Sequence, residues 1–149
     1  MRSLTRPLAA IAALATMAAV PASAGDFSVR AGAYTDESRF FIGAEYRAFI
    51  QGHIAVAPNL EVVIPEEGSY FSFSADLHYV FPTQGPLAAW LGAGLGVYAR
   101  SHEGGNSQTH VGLNLIGGLG LKTKLKPYMQ LKVVVKDDTA LVLGFGIRF

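Results

Sequence analysis

From residue 25 onward the chain alternates with period two, one parity of each segment apolar and the other small or polar. Eight such segments follow one another. The apolar rows are Phe27 to Ala33, Phe40 to Ile50, Ile54 to Ile64, Phe71 to Phe81, Leu87 to Ala99, Val111 to Leu121, Met129 to Val135 and Leu141 to Phe149. No position in these rows carries a charge. The opposite parity holds Arg30, Glu45, Arg47, His53, Glu61, Asp76, His78, Arg100, His110, Asn114, Lys122, Gln130, Lys132, Lys136 and Arg148, together with many glycines from Gly32 to Gly146. Strict alternation predicts strands exposing one face to an apolar medium. Because the apolar row is the bulkier one while charges share the other with glycine, lipid outside and a polar filling inside fit better than a soluble cup. The prediction is an all-β, eight-stranded antiparallel up-and-down transmembrane barrel.

The connections fit the same scheme. Outer loops are expected at 35–38, 65–69, 101–109 and 137–139, and inner turns at 51–52, 82–86 and 123–126. Phe27, Tyr46, Tyr79, Phe81 and Phe149 then gather at the inner rim, with Phe40 and Phe71 at the outer one, as interfacial girdles do. Pro58 cannot donate a ladder hydrogen bond, so a bulge is expected there.

The first segment differs. Arg2 and Arg6 precede an apolar run from Leu8 to Val20, Pro21 ends it, and Ala22-Ser23-Ala24 offers the small residues a signal peptidase requires. The run is too short to span a hydrocarbon core of about 30 Å. Residues 1–24 are therefore expected to be a cleavable secretory signal, with Ala22 and Ala24 marking the cleavage site, and residues 25–149 the barrel domain. The remainder holds no run long enough for a spanning helix, so a membrane protein here must be a barrel.

Composition narrows the chemistry. The 149 residues are 50% hydrophobic and 15% charged, too apolar for disorder. With 0 Cys, disulfides, thiolate metal sites, cysteine nucleophiles and a lipoprotein anchor are excluded. A formal net charge of +1, turning slightly negative once Arg2 and Arg6 are removed, argues against nucleic acid as a partner.

The C-terminal Leu141, Leu143, Phe145, Ile147 and Phe149 alternate up to a terminal aromatic residue, which resembles the closing-strand signal of bacterial outer-membrane barrels. Gly92-Ala93-Gly94-Leu95-Gly96 and Asn114-Leu115-Ile116-Gly117-Gly118-Leu119-Gly120 resemble the Gly-rich middle strands of small OmpA/OmpX-type proteins. The resemblance implies residence in the outer membrane of a Gram-negative bacterium, targeting through Phe145, Ile147 and Phe149, insertion by the barrel-assembly machinery, escort by periplasmic chaperones, and outer-membrane lipids and lipopolysaccharide as neighbours. A monomer without cofactor is expected. No peptidoglycan-binding domain is expected beside the barrel, and the short outer loops weaken an adhesin role.

The sharpest catalytic candidate is the inward ladder Ser72, Ser74, Asp76, His78, since a Ser, an acid and a His on one face suggest nucleophilic hydrolysis. Alternate residues on a strand stand about 7 Å apart, too far for direct hydrogen bonds between successive members. The outward rows offer no Ser, His, Asp or Glu to an acyl chain in the membrane. Polar filling is the better reading, and no enzyme activity is expected. His53, His78, His102 and His110 lack metal-ligand spacing. The Gly92 to Gly96 run is no phosphate loop, for no helix follows; its inward glycines make room for Arg, Tyr and Trp side chains, or alternatively line a small pocket beside Trp90 and Tyr98. Asp36, Glu37, Glu66, Glu67, Glu103, Asp137 and Asp138 make the outer connections acidic, which reads as solvation before it reads as cation bridging to lipid phosphates.

Aligning the first hairpin about its loop sets Glu45 opposite Ser28 and diagonal to Arg30, with Arg47 two residues on. The expected lumen is a buried cluster of Arg30, Glu45 and Arg47, extended toward Glu61 and Asp76, that plugs the barrel. The function read from sequence is a non-enzymatic structural or membrane-integrity role. The alternatives are a barrel that binds or modifies a lipid or small hydrophobic ligand, and a soluble periplasmic carrier.

Overall fold

The computed structural model describes residues 25–36, 38–64, 69–101 and 107–149. The proposed cleavage residues Ala22 and Ala24, the acidic residues Glu37, Glu66, Glu67 and Glu103, and His102 lie outside these described residues. Eight strands follow in chain order: β1 (Gly25–Tyr34), β2 (Arg39–Gln51), β3 (Ile54–Ile64), β4 (Ser69–Val80), β5 (Leu87–Ser101), β6 (Ser107–Leu121), β7 (Lys126–Val135) and β8 (Thr139–Arg148). Each pairs antiparallel with its neighbour in sequence, and β8 returns to pair with β1, so the sheet closes with no free edge.

Burial follows the alternation. Along β6, Val111, Leu113, Leu115 and Leu119 face outward while Gly112, Asn114, Ile116, Gly118 and Gly120 are enclosed to differing degrees. The exterior carries Phe40, Ile42, Leu60, Val62, Leu95 and Leu131 with no polar cover; Phe40 is 69% exposed. Phe27, Tyr79, Phe81 and Phe149 stand exposed toward the end that holds the termini, and Phe40 and Phe71 toward the other. Such a surface is stable in lipid and not in water.

Two expectations change. The third outer connection is shorter, because β5 continues to Ser101 and β6 begins at Ser107. Pro58 sits in an unbroken β3–β4 register opposite Ala75, so no bulge forms on that side. The β2–β3 ladder instead lacks pairs between Glu45↔Asn59 and Ala48↔Val56, beside Pro58, and its register shifts between Phe49 and Gln51. A residue in an antiparallel strand aims its N and C=O to the same side, and Pro58 aims its donor-less nitrogen at β2. The chain then turns through Gly52, whose φ of 53° is the left-handed conformation a tight connection uses.

Candidate site in the barrel lumen

Eight strands leave a lumen that side chains can fill, and the inward residues do so in layers. Toward the outer mouth the layer is apolar and aromatic: Tyr34, Phe41, Val63, Tyr70, Tyr98, Val134, Ala140 and Val142 pack together. Trp90, Ile116 and Tyr128 form a second apolar layer toward the inner mouth. Alternation alone describes the inward parity as polar and small, and misses both layers, because Phe41, Val63, Ile116, Val134 and Val142 are isolated apolar residues within an otherwise polar row.

Between the layers lies a charged network. Arg30 donates from Nη1 to Glu45 Oε2 at 2.9 Å and from Nη2 to Glu61 Oε1 at 2.6 Å and Asn59 Oδ1 at 2.8 Å. Glu61 also accepts from Lys132 Nζ at 2.8 Å and Tyr34 Oη at 2.6 Å. Glu45 accepts a second guanidinium, Arg148 Nη2, at 3.0 Å. Asn59 carries the chain of bonds to Asp76 at 2.7 Å; Asp76 accepts from Asn114 at 3.0 Å, and Asn114 accepts from Tyr98 Oη at 2.6 Å. Every strand from β1 to β8 supplies at least one member. Glu45, Glu61, Asp76, Arg30, Lys132 and Arg148 are all buried. Removing such charges from water is costly, and the cost is offset here because each carboxylate accepts at least two hydrogen bonds.

Of the sequence-predicted members, Arg30, Glu45, Glu61 and Asp76 are brought together through side-chain hydrogen bonds. Arg47 is not among them: its ion-pair partner is Asp26, 3.8 Å away toward the inner mouth. The second arginine on Glu45 is Arg148. Closure places β8 beside β1, with Arg148 opposite Ser28 and Ser28 opposite Glu45, so the long side chain reaches across β1. Hairpin alignment within β1 and β2 cannot supply that neighbour. Lys132, Tyr34, Asn59 and Asn114 were likewise reachable only as members of the inward parity.

The Ser72, Ser74, Asp76, His78 ladder is dispersed. Ser72 Oγ contacts Glu61 at 3.4 Å, Asp76 serves the two asparagines, and neither Ser74 Oγ nor either His78 nitrogen has a hydrogen-bond partner among the described residues. His78 instead stacks on Trp90, 6.4 Å between ring centres at 22°. No hydrogen bond links His78 to a serine or a carboxylate, so the constellation has no nucleophile and base in contact. Among the described residues no three of His, Asp and Glu gather as a metal site. Phe145, Ile147 and Phe149 point outward from β8 with their side chains exposed.

Glycines sit across from the large inward groups. Gly43 pairs with Glu61, Gly94 with Asp76 and Gly118 with Trp90. A Cβ on Gly118 would overlap the Trp90 indole, and one on Gly94 would overlap the Asp76 carboxylate.

The same architecture occurs in solved outer-membrane barrels. The N-terminal β-barrel domain of Pseudomonas aeruginosa OprF matches with a TM-score of 0.69 at 17% identity, over 84% of this chain and 96% of that one. Neisserial surface protein A matches with a TM-score of 0.67 at 22% identity, over 83% and 94%. The outer-membrane enzyme PagL matches with a TM-score of 0.53 at 15% identity, over 83% and 98%. At these identities the likeness is one of fold. No protein-family model matches the chain, and no curated protein does.

Proposed function

We propose that the chain is a non-enzymatic integral barrel of the Gram-negative outer membrane, with a structural or membrane-integrity role and a plugged lumen. The observation that carries this reading is the hydrogen-bonded network to which all eight strands contribute, enclosed by an apolar exterior. A barrel so filled is suited to holding its shape in lipid and poorly suited to passing solutes. The mature protein starts at Gly25 after cleavage behind Ala24. It inserts through the barrel-assembly machinery after escort by periplasmic chaperones and resides as a monomer among outer-membrane lipids and lipopolysaccharide. PagL has the same fold and is an enzyme; against that role here stand outward rows that hold no His, Asp or Glu among the described residues, and the unlinked Ser72 to His78 ladder.

The test is genetic and chemical together. Deleting the gene is expected to raise entry of a bulky apolar dye into intact cells, with recovery on re-expression and no change in the mass spectrum of extracted lipopolysaccharide. Unaltered dye entry would overturn the integrity role, and an altered spectrum would replace it with lipid modification.

A further inference from the structure

At the inner mouth, beneath the Trp90 layer, lies a cavity of about 270 Å³. Its volume exceeds the roughly 150 Å³ that admits benzene and approaches the roughly 300 Å³ at which ordinary ligand pockets begin. Trp90, Tyr128, Val80 and Ala88 supply apolar walls, and Arg47, Arg148, Lys122 and Lys126 line the same space. Asp26 is the one carboxylate in that lining, and Lys126 Nζ already holds it at 2.8 Å.

The two arginines are incompletely satisfied. The Arg47 side chain is only 7% exposed, yet among the described residues its Nε and Nη1 have no hydrogen-bond partner, and its ion pair there, to Asp26, is 3.8 Å long. Its guanidinium instead faces the rings of Trp90 at 5.3 Å and Phe49 at 5.5 Å. Arg148 gives one nitrogen to Glu45, lies 4.4 Å over Tyr128 and 4.9 Å over Trp90, and leaves Nε without a partner among the described residues. Buried donors left without acceptors are costly, and costlier when charged. An oxyanion would satisfy them through charge-assisted, often bidentate bonds. The aromatic floor beside them would take an apolar body.

We propose that this mouth is a binding site for a small amphipathic anion: a compact aromatic or branched apolar body carrying one carboxylate or phosphate. The body lies against Trp90, Tyr128, Val80 and Ala88. The head meets Arg47, with Lys122 and Lys126 at the rim drawing anions toward it. The ligand enters from the side that holds the chain termini. Glu45 pairs with Arg148 from within, so the guanidinium left for the ligand at this mouth is that of Arg47.

The chain has 1 Trp, and it forms the floor of this site, so its fluorescence responds to occupancy of this site. The folded barrel in phosphatidylcholine vesicles is titrated with benzoate, phenyl phosphate, inorganic phosphate and benzyl alcohol. A saturable Trp90 response to benzoate or phenyl phosphate is expected, and the tighter of the two identifies the head. Inorganic phosphate and benzyl alcohol, each lacking half of the recognised chemistry, should bind at least about tenfold more weakly. Arg47→Gln should weaken the anion by about tenfold, Lys122→Gln by less, and Ala88→Leu, which fills the cavity and leaves every charge in place, should abolish the response. Ligand-observed NMR on the same samples registers binding that leaves the fluorescence unchanged, and heat-modifiable migration shows that each variant is folded. The proposal is overturned by no saturable binding in either measurement, by benzyl alcohol or inorganic phosphate binding as well as benzoate, or by undiminished binding to folded Ala88→Leu.

Discussion

At the scale of single residues, the lumen is governed by the difference between a paired and an unpaired buried charge. Glu45 pairs with both Arg30 and Arg148, at 2.9 and 3.0 Å. Glu45→Ala leaves two guanidinium groups facing each other's field in a closed space, and losing one partner of a buried pair costs about 3 to 5 kcal/mol. Asp138, exposed in the last outer connection, is bathed in water, and Asp138→Ala should leave stability unchanged within error. Urea unfolding of both variants in lipid vesicles decides: equal midpoints would mean that the network does not hold the barrel together. Gly118 tests packing in place of charge. Since a Cβ there would overlap the indole of Trp90, Gly118→Ala should force the ring to shift and destabilise the barrel by about 1 to 3 kcal/mol. A shifted Trp90 emission maximum should accompany it, and unchanged emission and stability would show that the indole has room to spare.

At the scale of elements, β8 has two separable duties. In the folded barrel it zips against β1 and β7, and the Phe149 backbone N–H donates to Phe27 O at 2.7 Å. The Phe149 side chain is 57% exposed, so it adds little packing inside the protein. Its proposed duty is in assembly, as the end of the alternating Phe145, Ile147, Phe149 row. Deleting Phe149 should therefore reduce the amount inserted in cells while leaving export across the inner membrane, and the unfolding midpoint of what does insert, close to wild type. Equal insertion, measured in membrane fractions, would remove the targeting role. On the inner face of the barrel, three of the bulky or charged groups have a glycine across the ladder. Gly43, Gly94 and Gly118 belong to three different strands and serve Glu61, Asp76 and Trp90 on their neighbours.

At the scale of the molecule, closure and filling act together. All backbone pairing is internal to the barrel, the exterior is apolar, and the lumen is crossed by bonds between non-adjacent strands, such as Lys132 of β7 to Glu61 of β3 at 2.8 Å. Such a structure should resist detergent until heated. Unheated protein should migrate faster than boiled protein on a denaturing gel, and recovery instead as a detergent-independent soluble monomer after osmotic shock would overturn membrane residence. In planar bilayers the filled lumen should give no stepwise conductance. Sustained channel openings would mean that the network parts under voltage.

The alternation from Phe27 to Phe149 determined the strand count, the lipid-facing rows and the sign of each face, because side chains on a strand repeat every two residues whatever the neighbouring strand is. The partnership of Ser28 with Glu45 was equally legible, since a hairpin sets its own register. What only the tertiary structure decided is which inward residues meet across the lumen. Contacts such as Arg148 with Glu45 depend on closure of β8 onto β1, a pairing between the two ends of the described chain that no local rule specifies. For the same reason Arg47 left the predicted cluster for the inner mouth: closure brought Arg148 to Glu45, and the site beside Trp90 came into view only once the layers were stacked.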